Sequence, residues 1–140
     1  MKPSMVVTVL MTLNGVAPAA SAQTTNSRET TVREGVYSLD QAKGGLIVYD
    51  KKCATCHDGG GTFGPELWGE AFRMLWADKT VDGLYGRIKD TMPEDSPGTL
   101  TEGEVLSLIA YILQQNDFPA GEKAIESEQA LRVVRFVTGK

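Results

Sequence analysis

Cys53, Cys56 and His57 fall within the five residues Cys53-Ala54-Thr55-Cys56-His57, and they are the only cysteines and the only histidine of this 140-residue chain. Two thiols separated by two residues can add across the vinyl groups on one edge of a haem, and an imidazole beside the second thiol then lies under the iron as an axial ligand. Other chemistries fit less well. A structural zinc site wants four Cys or His ligands, and the chain offers three, two of them neighbours. A thioredoxin-like dithiol wants a βαβ setting, which the flanking sequence does not provide. The motif therefore predicts one covalently attached haem c, with Cys53 and Cys56 as thioether residues and His57 as the proximal iron ligand.

The second axial position has to come from another residue type: Met, Lys, Tyr, the N-terminal amine, water or nothing. Outside an N-terminal leader that reads as removable, methionine occurs only at Met74 and Met92. Met74, in Phe72-Arg73-Met74-Leu75-Trp76, is expected to fill core space on an apolar helical face. Met92 stands in the irregular run Asp90-Thr91-Met92-Pro93-Glu94-Asp95-Ser96-Pro97-Gly98, where two prolines lower the entropic cost of holding a thioether on iron. The expected metal ligands are therefore His57 and Met92. Trp68 and Trp76 read first as core aromatics. Trp76 and Arg87 are also weak candidates for hydrogen bonds to a haem propionate.

These residues need helices to place them. Ser38 and Gln41 have capping-box spacing, with Asp40 in the first turn. Leu39, Ala42, Leu46 and Ile47, with Tyr49 beside them, then predict an apolar stripe on a helix running to about Lys51 that delivers Cys53. Asp58-Gly59-Gly60-Gly61-Thr62-Phe63-Gly64-Pro65 reads as loop, its glycines suited to close passage past a flat cofactor. A phosphate cradle is excluded, because no Gly-Lys-Ser/Thr follows and no strand precedes. Phe72 to Trp76 marks a short helical turn. Val81, Leu84, Tyr85 and Ile88 predict a helix from Thr80 that stops before Pro93. The last long helix is the best specified: Thr101 and Glu104 form a capping box, and Leu100 can pack on Val105 as a staple. Val105, Leu108, Ile109 and Ile112 line one face, and Asn116 ends it. Glu126 to Leu131 is expected to add one turn, with Val133 to Val137 as a tail that packs on the domain. With no repeats and no period-2 strands, the fold class is all-α.

Residues 1–22 read as a secretory signal. Lys2 precedes the apolar run Met5 to Leu13, and Ala20-Ser21-Ala22 has the small-x-small ending of a cleavage site. The run is too short for the roughly 20 residues of a membrane span, so no span is expected after cleavage. Residues 23–37 read as a flexible polar tether, 38–120 as the haem domain and 121–140 as a C-terminal extension. Removing the leader leaves 13 basic against 18 acidic residues, a formal charge of −5. That acidity argues against nucleic acid and anionic membrane surfaces as partners.

The pattern resembles class I cytochrome c. Gly45 and Tyr49 precede Cys53 at that family's offsets, and Gly64-Pro65-Glu66-Leu67-Trp68-Gly69 is similar to its Gly-Pro-x-Leu-x-Gly. The resemblance implies that the Pro65 carbonyl accepts the proton on the outer nitrogen of His57. It also implies that the first and last helices cross closely at Gly45 and Tyr111. Met92-Pro93-Glu94-Asp95-Ser96-Pro97-Gly98-Thr99-Leu100-Thr101, with Ala110 to Gly121, looks more narrowly like the cytochrome domain of quinohaemoprotein (PQQ-dependent) dehydrogenases. This chain has no room for their catalytic propeller, and Asn116-Asp117 stands where Asn-Gly is more usual there. The implied function is one-electron carriage in the periplasm without catalysis. A periplasmic, PQQ-dependent class of dehydrogenase would be the donor, and a terminal oxidase or another cytochrome the acceptor. Two alternatives remain open: a cytochrome subunit permanently bound in a dehydrogenase complex, and a haem enzyme or sensor with an open sixth site.

Overall fold

The computed structural model describes residues 29–58 and 63–137. The expected leader and cleavage site lie outside the described residues. Among the described residues there are six α-helices and one two-residue parallel ladder: β1 (Thr30–Thr31), α1 (Leu39–Lys52), α2 (Ala54–His57), α3 (Glu70–Trp76), α4 (Val81–Thr91), α5 (Glu102–Gln115), α6 (Glu128–Leu131) and β2 (Val134–Arg135). The class is all-α, as the periodicity implied.

Helix α5 forms the centre. Val105, Leu106 and every residue from Leu108 to Leu113 are buried. Its start is fixed by a complete capping box. Thr101 Oγ1 accepts from the Glu104 N–H at 3.3 Å, and Glu104 Oε2 accepts from the Thr101 N–H at 2.8 Å. Leu100 and Val105 are both buried at the staple positions. Lys52 Nζ, from the end of α1, donates to Glu104 Oε1 at 2.8 Å. That ammonium first, and then the Thr101 amide, hold the Glu104 carboxyl down at about 2.

α1 crosses α5 at very short range. A Cβ on Gly45 would stand 1.9 Å from the Ser107 carbonyl oxygen and 2.7 Å from Tyr111 Cβ, so only glycine lets the helices meet here. This contact corrects the expected apolar stripe. The buried face of α1 is Ala42, Gly45 and Tyr49, whereas Leu39, Leu46 and Ile47 are exposed. Ala42 and Tyr49 of the expected stripe lie on this face, but its larger aliphatic members do not, because the closest approach is made by the smallest residue. The capping box of α1 is likewise half formed. Ser38 Oγ accepts from the Gln41 N–H, but the Gln41 side chain pairs with the Ile125 backbone, donating at 3.0 Å and accepting at 2.8 Å.

The tether assignment for 23–37 is corrected over residues 30–37. Thr30 and Thr31 pair with Val134 and Arg135, a 3-10 turn follows over Val32–Glu34, and Val32 and Tyr37 are buried. Tyr37 Oη donates to the Phe118 carbonyl at 2.7 Å, and the Gly121 N–H donates to the Tyr37 carbonyl at 2.7 Å. These partners lie at the far end of the chain, so no local pattern reports them. In the C-terminal segment Ile125, Leu131, Val134 and Phe136 are buried, and the Phe136 ring lies 6.1 Å from Phe72 and 6.0 Å from Trp76.

Candidate haem site

α1 ends in the Cys-x-x-Cys-His motif. The Cys53 N–H still bonds the Tyr49 carbonyl at 2.8 Å, and the single turn α2 then begins, with the His57 N–H on the Cys53 carbonyl at 3.0 Å. One turn of helix thereby carries both thiols and the imidazole. Cys53 is half-buried and Cys56 exposed, and the two are not joined to each other. Burial, more than any charge, pushes the Cys53 thiol up to about 11. An unmodified Cys53 would be a neutral, poorly nucleophilic thiol.

The imidazole is oriented from the far side of the following loop. His57 Nδ1 lies 2.7 Å from the Pro65 carbonyl oxygen. A carbonyl only accepts, so the ring proton belongs on Nδ1 and the Nε2 lone pair is free to bind a metal. Gly64 makes this approach possible. A Cβ there would stand 2.8 Å from His57 Cε1 and 2.9 Å from Nδ1. Two unpaired thiols on one turn beside an imidazole with a free, correctly tautomerised nitrogen fit a covalently held haem. Among the described residues no three His, Cys, Asp or Glu side chains gather into a set able to hold a bare metal ion.

The other sequence candidates are spread over α3 and α4. Met92 caps the C-terminus of α4, its N–H on the Ile88 carbonyl at 3.0 Å, and is half-buried against the core. Met74 is not core filler: its side chain is 68% exposed. On the two-turn helix α3, Phe72 and Trp76 face inward four residues apart, and Met74 projects to the opposite side. Trp76 is half-buried between Phe72 and Phe136, with Lys79 Nζ 5.2 Å over its ring. Arg87 is exposed on α4, and its carbonyl accepts from Thr91 Oγ1 at 2.6 Å.

A family model described as cytochrome c oxidase, cbb3-type, subunit III matches residues 40–112, just over half of the chain. The chain belongs to that family. It is a class I c-type cytochrome domain, an electron-carrying haem protein by family, and Cys53 to His57 fit the Cys-x-x-Cys-His pattern that such a haem requires. No curated protein matches the chain, and no solved structure does. Domains of this kind typically work outside the cytoplasm, and among the described residues no helix is long and apolar enough to cross a membrane.

Beside the attachment turn the cytochrome carries an aromatic cluster. Tyr49 from α1 lies 5.4 Å from Trp68 and 5.3 Å from Tyr111 of α5, and Trp68 meets Tyr111 edge-on at 6.2 Å. The Tyr49 hydroxyl is buried without a hydrogen-bond partner, and burial, followed by the Asp58 carboxylate, pushes its pKa up to about 12. It stays neutral at any working pH. A residue expected only to end α5 also belongs to this environment. Asn116, at the end of α5, is buried and reaches back to the Leu67 carbonyl at 3.1 Å. The only local signal for it is an amide at a helix C-cap, which says nothing of a partner 49 residues earlier.

Proposed function

We propose that this cytochrome is a periplasmic one-electron carrier in which His57 and Met92 are the axial ligands of a single haem c. It accepts electrons from a periplasmic dehydrogenase, of the PQQ-dependent class whose cytochrome domain Met92 to Thr101 and Ala110 to Gly121 resemble, and passes them to a terminal oxidase or another cytochrome. Residues 1–22 direct its export and are removed. The observation that carries this reading is the His57 imidazole held by the Pro65 carbonyl next to two free thiols.

When bound, haem c supplies the ferric/ferrous couple. His57 offers a nitrogen donor whose basicity the Nδ1–H···O=C bond increases. Met92 offers a soft thioether that favours the ferrous state and so raises the potential, as suits an acceptor from a dehydrogenase. Met92 is partly buried against the hydrophobic core, and such a setting would limit reorganisation between redox states.

Replacing each methionine tests the ligand assignment. The ferric protein is expected to show the weak long-wavelength charge-transfer band of iron–thioether bonding. Met92→Ala abolishes that band, lowers the potential and admits carbon monoxide, while Met74→Ala leaves the band intact. Retention of the band in Met92→Ala, or ready carbon monoxide binding by wild type, would replace the carrier with an open-site haem enzyme or sensor. A second reading, a permanently bound subunit of a dehydrogenase complex, is favoured by Leu39, Leu46 and Ile47, which lie exposed along α1. Gel filtration of native extract separates the two: a free carrier elutes near its own mass, and a subunit co-elutes with its enzyme.

A further inference from the structure

We propose that Asn116 is a positioning residue for the proximal imidazole, acting through the backbone strap that carries Pro65; this rests on the reading of His57 as an iron ligand. The strap, residues 63–69, has no helix or strand of its own. Among the described residues, apart from the Gly69 carbonyl that accepts from the Arg73 N–H as α3 begins, two hydrogen bonds join it to other parts of the protein. One is His57 Nδ1 to the Pro65 carbonyl at 2.7 Å, and the other is Asn116 Nδ2 to the Leu67 carbonyl at 3.1 Å. The two carbonyls are two residues apart. Whatever sets the position of Leu67 therefore limits where the Pro65 oxygen can sit.

Asn116 is built to hold that position. Its residue is 3% exposed, and its amide nitrogen also donates to the Ile112 carbonyl at 2.8 Å, one turn back on α5. Two carbonyl acceptors on one nitrogen fix which end of the amide faces the strap, since only NH₂ can serve both. The Oδ1 atom is left buried and unpartnered, a cost accepted at a site where the donor end is needed. The base of Asn116 is itself anchored. Its N–H bonds the Ile112 and Leu113 carbonyls, and Phe118, just beyond it, returns its N–H to Leu113 and accepts from the Tyr37 hydroxyl. The rigid end of the central helix is thus tied to the one loop that orients the axial ligand. Trp68, next to Leu67, packs on Tyr49 and Tyr111 and restrains the same strap from the apolar side.

The haem-loaded protein carrying Asn116→Asp or Asn116→Ser tests this. Aspartate keeps the shape but turns carboxylate oxygens toward two carbonyls. Serine keeps a donor for the Ile112 carbonyl and is too short for Leu67. Leu131→Ala, buried on α6 where that helix packs on α4, serves as a stability control away from the strap. The expected result is exchange of the His57 Nδ1 proton roughly tenfold faster in the ferrous Asn116 variants, the loss of about one hydrogen bond's worth of constraint. It is accompanied by an upward shift in potential, because a looser Nδ1–H···O bond makes the imidazole a weaker donor. Leu131→Ala should show neither change. If the aspartate variant does not fold, the serine variant decides. Wild-type exchange and potential in Asn116→Ser, with stability alone reduced, would overturn the inference. If His57 proves not to be on the iron, the functional reading fails separately. Amide exchange across residues 63–69 then judges Asn116: faster exchange in the variant supports its hold on the strap, and unchanged exchange removes it.

Discussion

Gly45 and Gly44 are neighbours on α1, and replacing each by alanine should move stability in opposite directions. In a helix interior alanine is favoured over glycine by about 1 kcal/mol. At Gly44 a Cβ would meet nothing closer than Ser107 Oγ at 3.8 Å, an ordinary contact, so that gain should appear nearly in full. At Gly45 the same methyl would stand 1.9 Å from the Ser107 carbonyl oxygen, 2.6 Å from its carbon and 2.7 Å from Tyr111 Cβ. A comfortable carbon–oxygen approach is about 3.3 Å, so α1 and α5 would have to part by roughly 1.4 Å. Two of the three clashing atoms are backbone and cannot rotate away. Overpacking costs typically about 1–3 kcal/mol, and a clash of this kind belongs at or above the top of that range. After the propensity gain, Gly45→Ala should destabilise by about 2 kcal/mol or more. Urea titration of the haem-loaded variants, with the slope checked for constancy, reads both numbers. A neutral or stabilising Gly45→Ala, or an equally damaging Gly44→Ala, would refute the close crossing.

Glu104 should make stability fall in acid. Its folded pKa of about 2 lies below the ordinary value of 4.5, so its contribution is fully present above about 4.5 and is lost as pH falls toward 2. The pair with Lys52 is partly exposed, so the loss should be about 1 kcal/mol, and Glu104→Gln should flatten the difference between denaturant titrations at pH 2.5 and pH 6. Tyr37→Phe removes the buried bond to the Phe118 carbonyl and should cost about 1–2 kcal/mol by the same titration, whereas a substitution in a free tether would cost nothing.

What the sequence discloses here is what is local. The attachment motif, the Thr101–Glu104 capping box and the Val81, Leu84, Tyr85, Ile88 face are all written within a few residues, and each stands in the structure at its expected place. Features set by distant partners leave little or no local trace. Of the stripe expected on α1, Ala42 and Tyr49 are buried but Leu39, Leu46 and Ile47 are not, because periodicity weighs hydrophobicity and does not register a glycine that makes the close approach. Met74 looked like core because α3 is apolar nearly all round, and two turns give too little periodicity to choose a side. The 30–37 segment is polar in composition, yet Val32 and Tyr37 anchor it through contacts with the opposite end of the chain. Gln41 and Asn116 spend their amides on backbone groups 84 and 49 residues away, which no helix-end rule anticipates.

The central claim is that Cys53 and Cys56 hold one haem covalently and present His57 to its iron. Intact-mass measurement of the purified protein after acid denaturation, together with its alkaline pyridine spectrum and a thiol-alkylation count, tests it most directly. The mass should be that of residues 23–140 plus one haem, the spectrum should be that of a bis-thioether haem, and neither cysteine should alkylate. Haem that extracts into acidic solvent, leaving a bare chain with two reactive thiols, would contradict the account.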